Sequence, residues 1–165
     1  MTRYDMVPLL CLAAAACSDS SSSAARAAVP APGDETTRQG CTPAYWRQAQ
    51  HFGSWPVDLD VTMAEAFPSS CGTVSAPARA DAAGRICPLG LLEALEPGGD
   101  HVDALARSAS GAWLNAGSVG FAYSPSEVRR MVDNALAGGD VEATSRSLAA
   151  ANEAGCPLGE VRLYD

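Results

Sequence analysis

Ser124-Pro125-Ser126-Glu127-Val128-Arg129-Arg130-Met131-Val132-Asp133-Asn134-Ala135-Leu136 reads as one complete helix. Ser124 can accept from the open amides of a first turn. Pro125 suits the first helical position, and Glu127 stands where a capping box needs its acid. Val128, Met131, Val132, Ala135 and Leu136 recur at three- and four-residue steps and so share one face. Gly138 closes the segment. Fifteen residues, 124–138, thus carry a start, a buried stripe and a stop, all written for a helix.

The same signals recur in both directions. Downstream, Asp140 can cap a helix with Val141, Leu148 and Ala151 inward, and Gly155 is a left-handed terminator before Cys156-Pro157. Upstream, Asp100 can cap a helix carrying Val102, Leu105, Ala109, Ala112 and Trp113. Gly117 is its expected C-terminal cap, with residues 118–120 as a turn. Residues 89–95 make a short apolar helix stopped by Pro97-Gly98-Gly99. Thr62-Met63-Ala64-Glu65 is a second capping box, cut short by Pro68. Thr42-Pro43 opens a helix through Tyr45, Trp46 and Ala49. Period-two alternation is missing, so the expected class is all-α: a compact bundle of about six short helices. Residues 68–88 are expected to be a Pro/Ala/Gly-rich loop.

This pattern occupies residues 40–160, a normal length for one core. What precedes it differs. A short charged start (Arg3, Asp5) leads into an apolar run over residues 6–16 that ends Ala14-Ala15-Ala16-Cys17. Eleven residues are too few to span a bilayer, which takes about 20. Residues 1–16 read as a lipoprotein signal peptide, with small residues for the peptidase and Cys17 as the lipidated first residue of the mature protein. A simple secretory cut after the alanines is the alternative. In a Gram-negative host, Ser18 instead of Asp at the next position points to outer-membrane delivery. Residues 17–39, rich in Ser, Ala and Pro, form a flexible tether. The expected address is the bacterial cell envelope, with the membrane engaged through the N-terminal lipid; the alternative is a secreted protein.

Cysteine usage suits that address. Cys11 leaves with the leader and Cys17 carries lipid. Cys41, Cys71, Cys87 and Cys156 remain, an even number for an oxidising compartment. Three pairings are open. Cys41 with Cys156 would staple the two ends of the domain, and Cys71 with Cys87 would close the loop between them. Each bridge would contribute about 3–5 kcal/mol on chain-entropy grounds. A four-thiolate zinc site lacks any Cys-x-x-Cys pair.

Composition narrows the partners. The chain has a net charge of −8 and a pI near 4.6. Loss of residues 1–16 removes one basic and one acidic residue, leaving the charge unchanged. Nucleic acid is therefore not an expected partner, because phosphate binding needs a basic patch. No cofactor is implied.

Candidate chemistry is sparse. Tyr45, Trp46, Phe52 and Trp55 cluster with Arg47 and His51 within eleven residues. They could form an aromatic platform for a glycan or an envelope protein, Arg47 and His51 adding polar contacts; equally, Tyr45 and Trp46 could anchor the first helix in the core. His51 and His101 are the two histidines. Beside Asp58, Asp60, Asp100 and Asp103 they show no metal-ligand spacing, so no metal site is expected. Gly117-Ser118-Val119-Gly120 lacks the strand that a nucleophile elbow needs before its serine. No catalytic residue is assigned.

Gly40-Cys41-Thr42-Pro43-Ala44-Tyr45-Trp46-Arg47, then His51-Phe52 and Trp55-Pro56, resembles an uncharacterised family of exported bacterial domains that open with Gly-Cys-Thr-Pro-Gly-Tyr-Trp-Lys. The likeness continues through Leu91-Leu92-Glu93-Ala94-Leu95, Ala112-Trp113-Leu114-Asn115-Ala116 and Tyr123-Ser124-Pro125-Ser126-Glu127-Val128. It closes at Leu148-Ala149-Ala150-Ala151-Asn152-Glu153, Gly155 and Cys156-Pro157-Leu158, and so covers nearly all of residues 40–158. Ala44 and Arg47 depart from the family's Gly and Lys, and the Cys71/Cys87 pair is extra. The resemblance implies an exported setting and agrees with pairing Cys41 to Cys156; it implies no catalytic residues. The expected role is a non-catalytic binding or structural module. The alternative is a small hydrolase of envelope polymers using His51 or His101 with a nearby carboxylate.

Overall fold

The computed structural model describes residues 38–72, 77–96 and 98–159. The expected leader at 1–16, Cys17 and the expected tether up to residue 37 lie outside the described residues. Those described form an all-α domain, with two isolated antiparallel bridges and no strand among them.

The elements in chain order are α1 (Pro43–Trp46), a 3-10 helix (Ala49–Ser54), α2 (Met63–Ala66), α3 (Pro68–Cys71), α4 (Pro77–Ile86), α5 (Leu91–Ala94), α6 (His101–Ser118), α7 (Pro125–Leu136) and α8 (Val141–Asn152). Their starts follow local chemistry. Side chains of Thr42, Thr62, Asp100, Ser124 and Asp140 each accept from an amide of the turn they open. Thr62 with Glu65, and Ser124 with Glu127, close full capping boxes. Glu65 and Glu127 are held below the usual carboxylate range, chiefly by the backbone amides of Thr62 and Ser124.

Three expectations are corrected. Residues 68–88 contain helices α3 and α4, and are not a plain loop. Pro68 and Pro77 sit at first helical positions, where proline starts a helix instead of ending one. The alanine-rich run that follows Pro77 favours propagation. Gly117 lies inside α6, which continues to Ser118 and is capped at Val119. The first helix ends at Trp46, and Ala49 begins a separate 3-10 turn.

Helix α6 is the axis of the domain and packs on α8, α7, α1, α5 and α4. Its middle is small and buried: Leu105, Ala106, Ser108, Ala109, Ser110, Gly111 and Ala112. Small side chains let α8 lie close, and Ser108 Oγ meets Ser145 Oγ at 3.3 Å across the seam. Val102 and Trp113 of the expected stripe are half-buried; Leu114 and Asn115 are buried instead. The α7 stripe is buried at all five expected positions. Arg129 lies over the Trp113 ring, 5.7 Å from its centroid, and donates through Nε to the Ala66 carbonyl at 2.6 Å.

Both pairs of cysteines are bridged. Cys41 joins Cys156 across 115 residues, and Cys71 joins Cys87 across 16. The first bridge is flanked by a backbone contact, Gly40 N–H to Gly155 C=O at 3.0 Å. Gly155 turns with φ 104°, a conformation costly for any residue with a side chain. A Cβ on Gly40 would run into the Ala151 carbonyl, so glycine is what lets the chain meet the end of α8.

Candidate functional site

The aromatic segment at residues 45–55 is built into the wall of the domain. Trp46 has no exposed surface and Trp55 is 9% exposed. The Trp46 indole donates to Asn115 Oδ1 at 3.1 Å, and the Trp55 indole donates to the Trp46 carbonyl at 2.9 Å. A buried indole N–H needs such a partner. These two residues therefore do not form the exposed platform that their spacing suggests. Their indoles are spent on the protein itself.

Asn115 organises this end of the molecule. Its Oδ1 also accepts from the Cys41 amide at 2.8 Å, while its Nδ2 donates to the Cys41 carbonyl at 2.8 Å and to Asn152 Oδ1 at 2.9 Å. Asn152 in turn donates to the Ser108 carbonyl at 3.0 Å. Asn115 and Asn152 are fully buried. One side-chain amide thus pairs both main-chain groups of Cys41, as a neighbouring strand would. Without it those buried groups would stand unpaired, at about 1–3 kcal/mol each.

Tyr45 and His51 are placed differently. Tyr45 is half-buried, and its ring stacks on His51 with centroids 3.7 Å apart and planes at 21°. His51 is 4% exposed, and its Nδ1 has no hydrogen-bond partner among the described residues. Both side chains line a groove of about 480 Å³ at the disulfide-stapled pole, together with Gln48, Gln50, Glu153 and Gly155. Arg47 is not in its lining; it pairs with Glu96 at 2.5 Å. The structure brings Tyr45 and His51 of the expected surface to one cavity, and assigns Trp46, Trp55 and Arg47 to packing and pairing.

His101 lies on a separate depression beside Gly139, Asp140 and Glu142. Its Nδ1 is 3.8 Å from Glu142, and its side chain is 71% exposed. Asp100 and Asp103 are engaged by Arg85, at 2.7 Å and at 2.8 and 2.9 Å. The hydrogen bond from Arg85 draws the Asp100 carboxyl below its ordinary range and raises the guanidinium. Burial pushes the Tyr123 phenol up. Ser118 ends α6 with its Oγ buried and without a hydrogen-bond partner among the described residues. Among the described residues, no three of His, Cys, Asp and Glu are grouped to hold a metal ion.

Gln48, Gln50 and Glu153 escaped the sequence reading because the groove is made where the two chain ends meet. The one available signal was the Cys41–Cys156 pairing, which obliges residues near 45 and near 155 to be neighbours. No family model, curated protein or solved structure matches the chain.

Proposed function

We propose that this protein is a lipid-anchored component of the bacterial cell envelope whose helical domain is a non-catalytic binding module. The leader-like residues 1–16, Cys17 and the tether support the address, as do two disulfides of the kind that persist outside the cytoplasm. The resemblance to exported domains points the same way. The observation that carries the binding role is the groove beside the Cys41–Cys156 bridge. It is concave, has an aromatic wall and polar side chains, and rests on elements fixed by a covalent bond and a buried amide network. It also opens at the pole where the tether joins the domain. The partner sought is an envelope protein or glycan.

The hydrolase alternative has one observation in its favour, the His101–Glu142 pair. That pair is largely exposed, so water would compete for any charge it stabilises. One experiment separates the two. The anchored protein is cross-linked in intact envelopes, with Tyr45→Ala and His101→Ala beside wild type. Capture lost in Tyr45→Ala, with the thermal midpoint held within a few degrees, supports the module. Turnover of envelope polymer lost in His101→Ala favours the enzyme. Absence of any captured partner with wild type sinks the binding role.

A further inference from the structure

The groove at the stapled pole has a chemical bias that narrows its ligand. Glu153 lines it, and its carboxylate makes no ion pair or hydrogen bond among the described residues. Among the described residues no arginine lines the groove, and the chain contains no lysine at all. Glu153 is also the residue that caps the end of α8; its amide donates to the Ala149 and Ala150 carbonyls at 3.2 and 3.3 Å. The cavity therefore sits at the negative end of a three-turn helix, where cations are favoured and anions are not.

The neutral groups point the same way. Gln50 Nε2 donates to Gln48 Oε1 at 2.6 Å, and Gln48 Nε2 donates to the Ala44 carbonyl at 3.1 Å. This relay leaves Gln50 Oε1 as an acceptor that receives nothing among the described residues. His51, buried against Tyr45, has unused hydrogen-bonding capacity at Nδ1. The stacked Tyr45 and His51 rings give the groove an aromatic wall against which an aliphatic stem can pack. The site is rich in acceptors and carries negative charge, and among the described residues no cation lines it; Glu153 also borders a second depression, with Arg47 and Arg107. An ammonium group, with three donors and no acceptor, is its complement.

We infer that the groove binds the primary ammonium of a lysine-like side chain on a peptide. The cavity, about 480 Å³, has room for the aliphatic stem as well as the charge. Gly40, Gly155 and Gly159 leave part of its rim without side chains, so a peptide backbone can approach there. This inference rests on the binding-module proposal and names the chemistry of that site.

The test titrates the oxidised, ¹⁵N-labelled full chain with acetyl-Gly-Lys-Gly-amide and with its Nε-acetylated twin, following amide shifts by NMR. Saturable shifts at His51, Glu153 and Gly155, lost with the acetylated twin, are expected. Glu153→Gln should weaken binding by roughly fivefold, the scale of one partly exposed ion pair, and added salt should weaken it too. Equal response to both peptides, no effect of Glu153→Gln, or no shifts with tens of millimolar peptide would overturn the inference. Envelope capture that depends on Tyr45, from a protein blind to the lysine peptide, would leave the module standing and remove this ligand. Failure of both would remove both.

Discussion

Two regions of this domain are each closed by a disulfide, and they are held in opposite ways. Around Cys41–Cys156 the support is buried. Cys41 is fully enclosed, both its main-chain groups are paired by Asn115, and Asn152 ties that amide to the axis helix. Around Cys71–Cys87 both cysteines are half-buried. Support there comes from α7, through the bond from Ser70 to Asp133, and from the exposed pairing of Arg85 with Asp100 and Asp103. One bridge closes nearly the whole domain over a polar core; the other closes the excursion that carries α4, beside surface charge. A covalent bond of one kind thus has different consequences according to what surrounds it.

The largest expected effect breaks the comparison at the bridges themselves. Cys41→Ala/Cys156→Ala should cost about 4–5 kcal/mol and Cys71→Ala/Cys87→Ala about 3, following the lengths of chain they close. Urea unfolding of both variants measures this. Equal losses would show that loop length is not what separates them. Next comes Asn115→Leu, nearly the same size but unable to pair. It strands the Cys41 amide and carbonyl, the Trp46 indole and Asn152, so a loss of about 3–5 kcal/mol is expected with both disulfides intact. A loss under about 1 kcal/mol would mean that water or a local shift replaces the amide.

Graded reduction sharpens the contrast without any mutation. Thiol labelling followed by mass spectrometry should find Cys71 and Cys87 modified before Cys41 and Cys156, because both cysteines of the short bridge are half-buried, whereas in the long one Cys156 is half-buried and Cys41 is enclosed. The reverse order would contradict the burial of Cys41. The smallest effect concerns acid. Asp100 is held low by Arg85 and its own cap, so its contribution is present above the ordinary Asp range and fades as pH falls through the depressed value. Arg85→Gln should lower stability slightly at neutral pH, where that contribution is present, and leave a shallower acid limb that meets wild type at low pH. An unchanged acid limb would show that the surface pairing is idle.

Sequence and structure agree wherever the information is local. Caps at Thr42, Thr62, Asp100, Ser124 and Asp140 depend on residues within three positions, and α7 has one buried face, so its stripe reads cleanly. Helix α6 is surrounded, and burial on several sides erases the periodicity that would mark an inner face. The 68–88 segment misled because proline both ends and begins helices, and the distinction depends on the fold around it. Trp46 looks identical as a platform or as a core residue until its partner, Asn115, is found 69 positions away. Tyr45 and His51 were visible as candidates. Glu153 became one only when the bridge set it beside them.

The meeting of residues 40 and 155 has a mechanical consequence. On the proposed anchoring, tension entering ahead of Cys41 passes by the sulfur bridge to Cys156, without being carried along α2 to α7. A ligand seated at that same pole would load the anchor almost directly. Shear on a cell surface would then test the grip of the groove before it tested the helices.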